Sequence, residues 1–209
     1  MNVYETDEEK VEAIKAWWKE NGISVIAGIV LGLGAVFGWR TWVSYRDGIA
    51  QQASAAFEDL IVAAQSGKAD QVQAKADQID REFPSTPYAA LAALVRGRAE
   101  VDAQRLPEAQ AALRLALDRA PDPGLKRLAA LRLVRLFMAK QAWEEAAAVL
   151  ERYDDGGPFR PEFDALRGDL AAATGQPQQA RAAYQRAIDG GATQAALLRE
   201  KRDDLPSSS

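Results

Sequence analysis

The side chains of this chain that could do chemistry are mainly carboxylates and guanidinium or ammonium groups, because its 209 residues include no histidine and no cysteine. That composition removes imidazole bases, thiolate nucleophiles, disulfides and zinc sites of the usual kind. Carboxylate pairs are the remaining catalytic device, and Glu144-Glu145 and Asp154-Asp155 are adjacent instances. Neighbouring positions on a helix point to different faces, so both pairs read as solvated surface charge. Gly156-Gly157 and Gly190-Gly191 neither precede Lys-Ser/Thr nor follow a strand pattern, so they read as helix stops and not as phosphate loops. Arg127, Arg132 and Arg135 form a candidate basic stripe, but 30 Asp and Glu outweigh 26 Lys and Arg for a net charge of −4. That balance gives phosphate backbones little footing, assigns the stripe to ordinary solvation and removes nucleic acid from the expected partners. No catalytic set, metal set or cofactor motif emerges.

The elements that carry these side chains begin with a membrane segment. Asn21 to Trp39 is a run of nineteen uncharged residues, enough helix to span roughly 28 Å at 1.5 Å per residue. Trp17 and Trp18 precede it and Trp39, Trp42 and Tyr45 close it, as rings that prefer the headgroup level would. The acidic flank before the run and the lack of a small-residue cleavage site after Trp39 argue against a cleaved signal peptide. Gly28 and Gly32, and Gly34 and Gly38, are four apart, a spacing that lets a second helix approach closely in a membrane. Val11, Ile14, Trp17 and Trp18 fall near one helical face, which makes the leader amphipathic and able to lie along the bilayer surface. Three lysines precede the span and two arginines follow it closely, so charge favours a cytoplasmic N-terminus only weakly.

Beyond Arg46, alanine and leucine recur at intervals of three and four with almost no alternating β-branched runs, which predicts an all-α region. Glycine and proline punctuation places helices near 48–66, 70–82, 87–103, 107–119, 123–140, 143–153, 161–174, 177–189 and 193–203. Thr86-Pro87 and Asp122-Pro123 have the cap-then-proline form of a helix start.

Three stretches repeat one another. Ala109, Ala146 and Ala180 each follow a polar or acidic residue near the start of a short helix. Four residues later stand Leu113, Leu150 and Tyr184, and seven later Ala116, Tyr153 and Ala187. Twelve residues earlier, the first and third units carry Gly97 and Gly168, where two helices of a pair could meet closely, while the second has Val134. The pattern resembles the tetratricopeptide repeat, in which such small residues serve packing and no chemistry. Arg96 and Arg167 depart from it, standing where that repeat usually has leucine, and an earlier unit around Val72, Ala76, Ile79 and Pro84 matches loosely. The expected fold is therefore one N-terminal transmembrane helix followed by a tetratricopeptide-like α-solenoid of about three to four degenerate helix pairs, whose concave face suits protein or peptide binding.

The leader and span carry a closer resemblance. Tyr4, Glu8-Glu9, Val11 to Lys15, Trp17-Trp18 and Asn21-Gly22 lead into Gly32, Gly38-Trp39-Arg40 and Trp42, and this order looks like the YfgM family of bacterial inner-membrane proteins. The resemblance implies a short cytoplasmic leader over residues 1–20, a transmembrane helix over 21–43, a periplasmic tetratricopeptide-like domain over 44–205 and a disordered tail over 206–209. It further implies association with the SecYEG translocon and a membrane-anchored periplasmic chaperone of the PpiD type, with exported polypeptides as further partners. The expected function is a non-enzymatic adaptor without cofactors. A scaffold for another cell-envelope assembly complex is the alternative, and a hydrolase built on a carboxylate pair is a third reading.

Overall fold

The first proline of the chain is Pro84, so nothing in the first 83 residues removes a helix donor. One helix, α1 (Asp7–Gln65), accordingly covers the residues that the sequence divides into leader, span and a helix over 48–66. The computed structural model describes residues 7–206. Tyr4 and the start of the leader, and Ser207 to Ser209 of the tail, lie outside the described residues. Eight further helices follow among them: α2 (Ala69–Glu82), α3 (Pro87–Asp102), α4 (Leu106–Arg119), α5 (Pro123–Ala139), α6 (Trp143–Tyr153), α7 (Arg160–Ala173), α8 (Pro177–Asp189) and α9 (Ala195–Asp203). The chain divides into two compact units, Met1–Ala50 and Gln51–Ser209.

In the second unit each helix from α2 onward packs on its successor, and α5 also meets α7. This is the contact pattern of stacked helix pairs, in which no pair can bury its apolar face alone. The core runs through the stack, from Leu94, Leu113 and Phe137 to Leu150, Phe163 and Leu166, and continues between α7, α8 and α9 around Tyr184, Ala187 and Leu198. Ala53 and Leu60 of α1 and Val72, Ala76 and Ile79 of α2 are buried at the start of the unit, where Phe57 meets Tyr88 with ring centroids 5.6 Å apart.

The repeat positions all point inward. Gly97, Ala109, Leu113, Ala116, Ala146, Leu150, Gly168, Ala180, Tyr184 and Ala187 are buried. A Cβ on Gly97 would come within 2.9 Å of the Leu113 Cδ2, and one on Gly168 within 2.4 Å of the Tyr184 ring. The large side chain of the second helix thus occupies the space left by the glycine of the first. Contact is extensive between α3 and α4 and between α7 and α8, and smaller between α5 and the shorter α6, where Val134 replaces the glycine.

The turns within pairs repeat as well. Gln104, Gln141 and Gly175 adopt positive φ, at 60°, 58° and 74°, and each stands five residues before a repeat alanine. The next residue donates its N–H back over five positions, from Arg105 to Glu100, Ala142 to Phe137 and Gln176 to Ala171, each at 2.8 Å. This closes the preceding helix in the Schellman manner. Glycine supplies that conformation without steric cost at one turn, and glutamine is held in it at the other two. Of the two cap-then-proline starts, Asp122 accepts from the Leu125 N–H at 3.0 Å, whereas the Thr86 hydroxyl donates backward to the Phe83 carbonyl at 2.9 Å.

Two buried carboxylates explain why arginine replaces leucine at Arg96 and Arg167. Glu100 is fully buried on α3, with Arg105 Nε 2.7 Å from Oε2 and Arg96 Nε 3.8 Å from Oε1. These are ion-pair contacts out of line for hydrogen bonding. The two arginines reach on to α2, Arg96 to Asp77 at 2.7 Å and Arg105 to Asp70 at 2.6 Å. Asp164 on α7 is buried between Arg167 at 3.4 Å and Arg186 of α8 at 3.2 Å. Arg167 also holds Asp154 at 2.5 Å, and Arg127 holds Asp155 through two hydrogen bonds. Asp154 and Asp155 are therefore not the freely solvated charges that adjacency suggested. Their partners are guanidiniums from α7 and α5, and together they fix the turn between α6 and α7.

Three outcomes follow from this packing, each readable as thermal unfolding of the full chain in detergent by circular dichroism. Gly168→Ala should cost about 2 kcal/mol, because a tyrosine ring cannot yield as a leucine methyl can, and Gly97→Ala about 1 kcal/mol or less. Glu100→Ala should cost about 2–3 kcal/mol by removing the buried charge that lies between two guanidiniums and leaving each only its α2 carboxylate, against under about 0.5 kcal/mol for Glu144→Ala on the surface. Hydrogen bonding from Arg127 holds the Asp155 carboxyl below the usual carboxylate range. The stability it contributes is present above the unfolded value near pH 4 and lost as pH falls through the lower folded value. Asp155→Asn should flatten that acid limb, and an unchanged acid profile would remove the pair from the account.

Candidate functional site

The first unit offers an uncovered apolar helix. Ile23, Ile26, Ile29, Leu31, Leu33 and Phe37 of α1 are exposed, and the segment is long and apolar enough to cross a membrane. Trp17, Trp18, Trp39, Trp42 and Tyr45 are exposed too. Trp18 and Trp39 are separated by about 32 Å of helix at 1.5 Å per residue, close to the roughly 30 Å of a bilayer's hydrocarbon core. At one end Trp39 and Trp42 pack at 5.3 Å between centroids, and the Arg46 guanidinium lies 4.9 Å over the Trp42 ring. That stack lines two amphipathic rings and a cation along about 10 Å of the helix. At the other, Trp18 folds over Gly22, whose added Cβ would meet the indole at 3.3 Å. Gly28, Gly32, Gly34 and Gly38 face open space. The two pairs lie roughly 120° apart around the helix, given 3.6 residues per turn.

The second unit offers a face lined by the first helices of successive pairs. A cavity of about 330 Å³ lies among α3, α4 and α5, over Val101, Leu113 and Leu136. Arg98, Arg132 and Arg135 line it as well. A second cavity, of about 370 Å³, lies among α5, α7 and α9 and shares Arg135 with the first. It carries charges of both signs: Asp169 accepts from Lys201 at 2.8 Å and from the Tyr184 hydroxyl at 2.7 Å, and Glu162 accepts from the neutral Thr193 hydroxyl at 3.1 Å. Burial, and then the bond to Asp169, push the Tyr184 phenol well above its ordinary range.

The arginines of the candidate basic stripe therefore part company. Arg127 is taken up by Asp155, while Arg132 and Arg135 converge with Arg98 from another helix on one cavity. The sequence assigned all of them to ordinary solvation, because helical spacing along α5 cannot reveal a guanidinium contributed by α3. Glu144 and Glu145 are exposed, and among the described residues no group of three His, Cys, Asp or Glu could hold a metal ion. The chemistry these surfaces can do is recognition: apolar contact in a membrane, and apolar contact with hydrogen bonding or charge on the repeat face.

Comparison with known proteins matches this geometry. Residues 15–207 match the tetratricopeptide repeat-like domain family. The chain is 33% identical over 195 residues to a protein of Escherichia coli named an ancillary SecYEG translocon subunit, covering 93% of each. It is 30% identical over 185 residues to the protein of the same name from Haemophilus influenzae, covering 88% of this chain and 90% of that one. A third such protein, from Aggregatibacter actinomycetemcomitans, is 30% identical over 204 residues, covering 95% and 97%. With a membrane-length apolar helix ahead of stacked helix pairs and similarity running through both, the chain belongs to the YfgM family of ancillary SecYEG translocon subunits, with a tetratricopeptide-like domain.

Proposed function

We propose that this protein is a non-enzymatic adaptor anchored in a bacterial inner membrane beside the SecYEG translocon. Its leader (1–20) lies on the cytoplasmic side, residues 21–43 cross the bilayer, and residues 44–205 form a periplasmic repeat domain ahead of a short tail (206–209). The observation that carries this reading is the near-full-length similarity to relatives named as translocon subunits, which covers the apolar helix as well as the repeats. In this arrangement the pair Gly28 and Gly32 and the pair Gly34 and Gly38 present helix backbone in two directions to translocon helices, and Trp17, Trp18, Trp39, Trp42 and Tyr45 set the depth of the span. The repeat face receives an exported polypeptide, a membrane-anchored chaperone of the PpiD type, or both in turn. Anchoring raises the local concentration of that face near the translocon, so modest intrinsic affinity suffices.

Site-specific photocrosslinking in a living bacterial host tests this. Probes at Gly32 should give bands to translocon subunits, and probes on the helices between Tyr88 and Tyr184 should give bands to chaperone or nascent chains. A span that crosslinks only to itself, with repeats that crosslink to another envelope complex, would leave an anchored scaffold of different purpose and overturn the adaptor reading.

A further inference from the structure

The cavity among α3, α4 and α5 brings three like charges together without an opposite charge in its lining. Unlike Arg167 and Arg186 beside the α7–α8 cavity, which pair with Asp154 and Asp164, two of its three arginines have no carboxylate partner among the described residues. Three guanidiniums, from Arg98, Arg132 and Arg135, surround an apolar floor of Val101, Leu113 and Leu136. Among the described residues neither Arg132 nor Arg135 has a carboxylate within ion-pair distance. Arg132 spends one N–H on the Leu94 carbonyl at 3.2 Å. Arg98 pairs with Asp102 at 2.8 Å, one turn along its own helix, but both members are well exposed, and such pairs contribute little. The convergence is electrostatically unfavourable as it stands: burial, then repulsion from Arg135 and Arg98, lower the pKa of Arg132.

The surroundings make this a local feature and not a general attraction for anions. The chain as a whole carries a net charge of −4, and at the interfaces between helices of this unit several arginines are neutralised, Arg96 by Asp77, Arg119 by Asp80, Arg127 by Asp155 and Arg167 by Asp154. The neighbouring cavity among α5, α7 and α9 pairs its own charges through Asp169 and Lys201. A space of about 330 Å³ lies at the small end of ligand pockets, which suits one or two side chains better than a cofactor. Guanidinium groups grip carboxylates through charge-assisted hydrogen bonds, and an apolar floor adds affinity only for a ligand with an apolar side chain beside its charge.

We propose that this cavity binds an extended polypeptide segment in which an apolar side chain stands next to one or two Asp or Glu side chains, the carboxylates received by Arg98, Arg132 and Arg135. The proposal deepens the adaptor reading and rests on the repeat unit being its polypeptide-binding part. It gives that unit a sequence preference: acidic-apolar segments seat at the α3–α5 cavity and not at the cavity beyond Arg135, whose lining includes the carboxylates of Glu162 and Asp169.

The test uses the full chain in detergent micelles and a fluorescent peptide, acetylated and amidated so that its ends carry no charge, with a Leu-Glu-Glu-Leu core. Fluorescence anisotropy should show saturable binding that weakens about tenfold or more when both Glu are replaced by Gln. Arg135→Glu, at an exposed position without an internal partner, should abolish binding of the Glu peptide without lowering the thermal unfolding temperature. Arg98→Gln, a milder second variant, should weaken it several-fold. Equal binding of the Glu and Gln peptides, retention of binding in Arg135→Glu, or no binding at all would overturn the proposal. Displacement of the peptide by inorganic phosphate at comparable concentration would also overturn it, because the site would then be a simple anion site. Crosslinking from Gly32 to the translocon reads the adaptor function independently, so a failed cavity and a failed adaptor give different results.

Discussion

The repeat unit depends on one steric relation: a large side chain of a second helix occupying the space where the first helix lacks one. Leu113 over Gly97 and Tyr184 over Gly168 bring backbones close enough for the surrounding alanines to enter the core. Helix pairs with so many alanines bury little area each, so their stability comes from stacking one pair on the next, and one cluster accordingly runs from α3 to α7, with another around Tyr184, Ala187 and Leu198. Where Val134 replaces the glycine, α5 and α6 share less surface, and Phe137, Leu150 and Phe163 fill the neighbouring core.

Charge does the work at the edges of this stack that apolar surface cannot. Glu100 and Asp164 are costly groups to bury, and each is compensated by arginines that reach an adjacent helix or turn. Arg96 and Arg105 connect α3 and its closing turn to α2, and Arg167 connects α7 to the end of α6. Such pairs add little net stability compared with apolar replacements, but they penalise any register in which the partner is missing. In repeats this degenerate, alternative pairings of similar helices are a hazard, and buried charge distinguishes one interface from the next.

The same distribution gives the repeat face its character. Arginines committed to buried or capping carboxylates are unavailable to ligands, whereas Arg132 and Arg135, which meet on the cavity lined by α3, α4 and α5, have no ion pair among the described residues. Recognition is what the exposed apolar helix and the cavity lining of the stacked helices offer. The α1 segment follows a different set of rules. It satisfies its own backbone internally, as a bilayer demands, and leaves its apolar side chains and glycines uncovered for lipid or another helix.

The sequence alone determined the helices, the membrane-length run and the repeat positions, because each is written in local spacing: proline and glycine punctuation, nineteen uncharged residues, and alanines followed at fixed intervals by larger side chains. The left-handed turns were also within reach, since Gln104 and Gln141 stand at the same repeat position as Gly175, but glutamine at a position suited to glycine gives no signal unless the repeat is aligned first. Tertiary structure alone decided the fate of the charges. Asp154 and Asp155 looked like solvated neighbours and turned out to be held by helices on either side, Arg96 and Arg167 looked like defects in a repeat and turned out to serve buried or nearly buried carboxylates, and Arg132 and Arg135 met Arg98 across a cavity. The physical reason is range: helical propensity and apolar periodicity act over a few residues, whereas the environment of a charge is set by whichever distant segments the fold brings within a few ångströms of it.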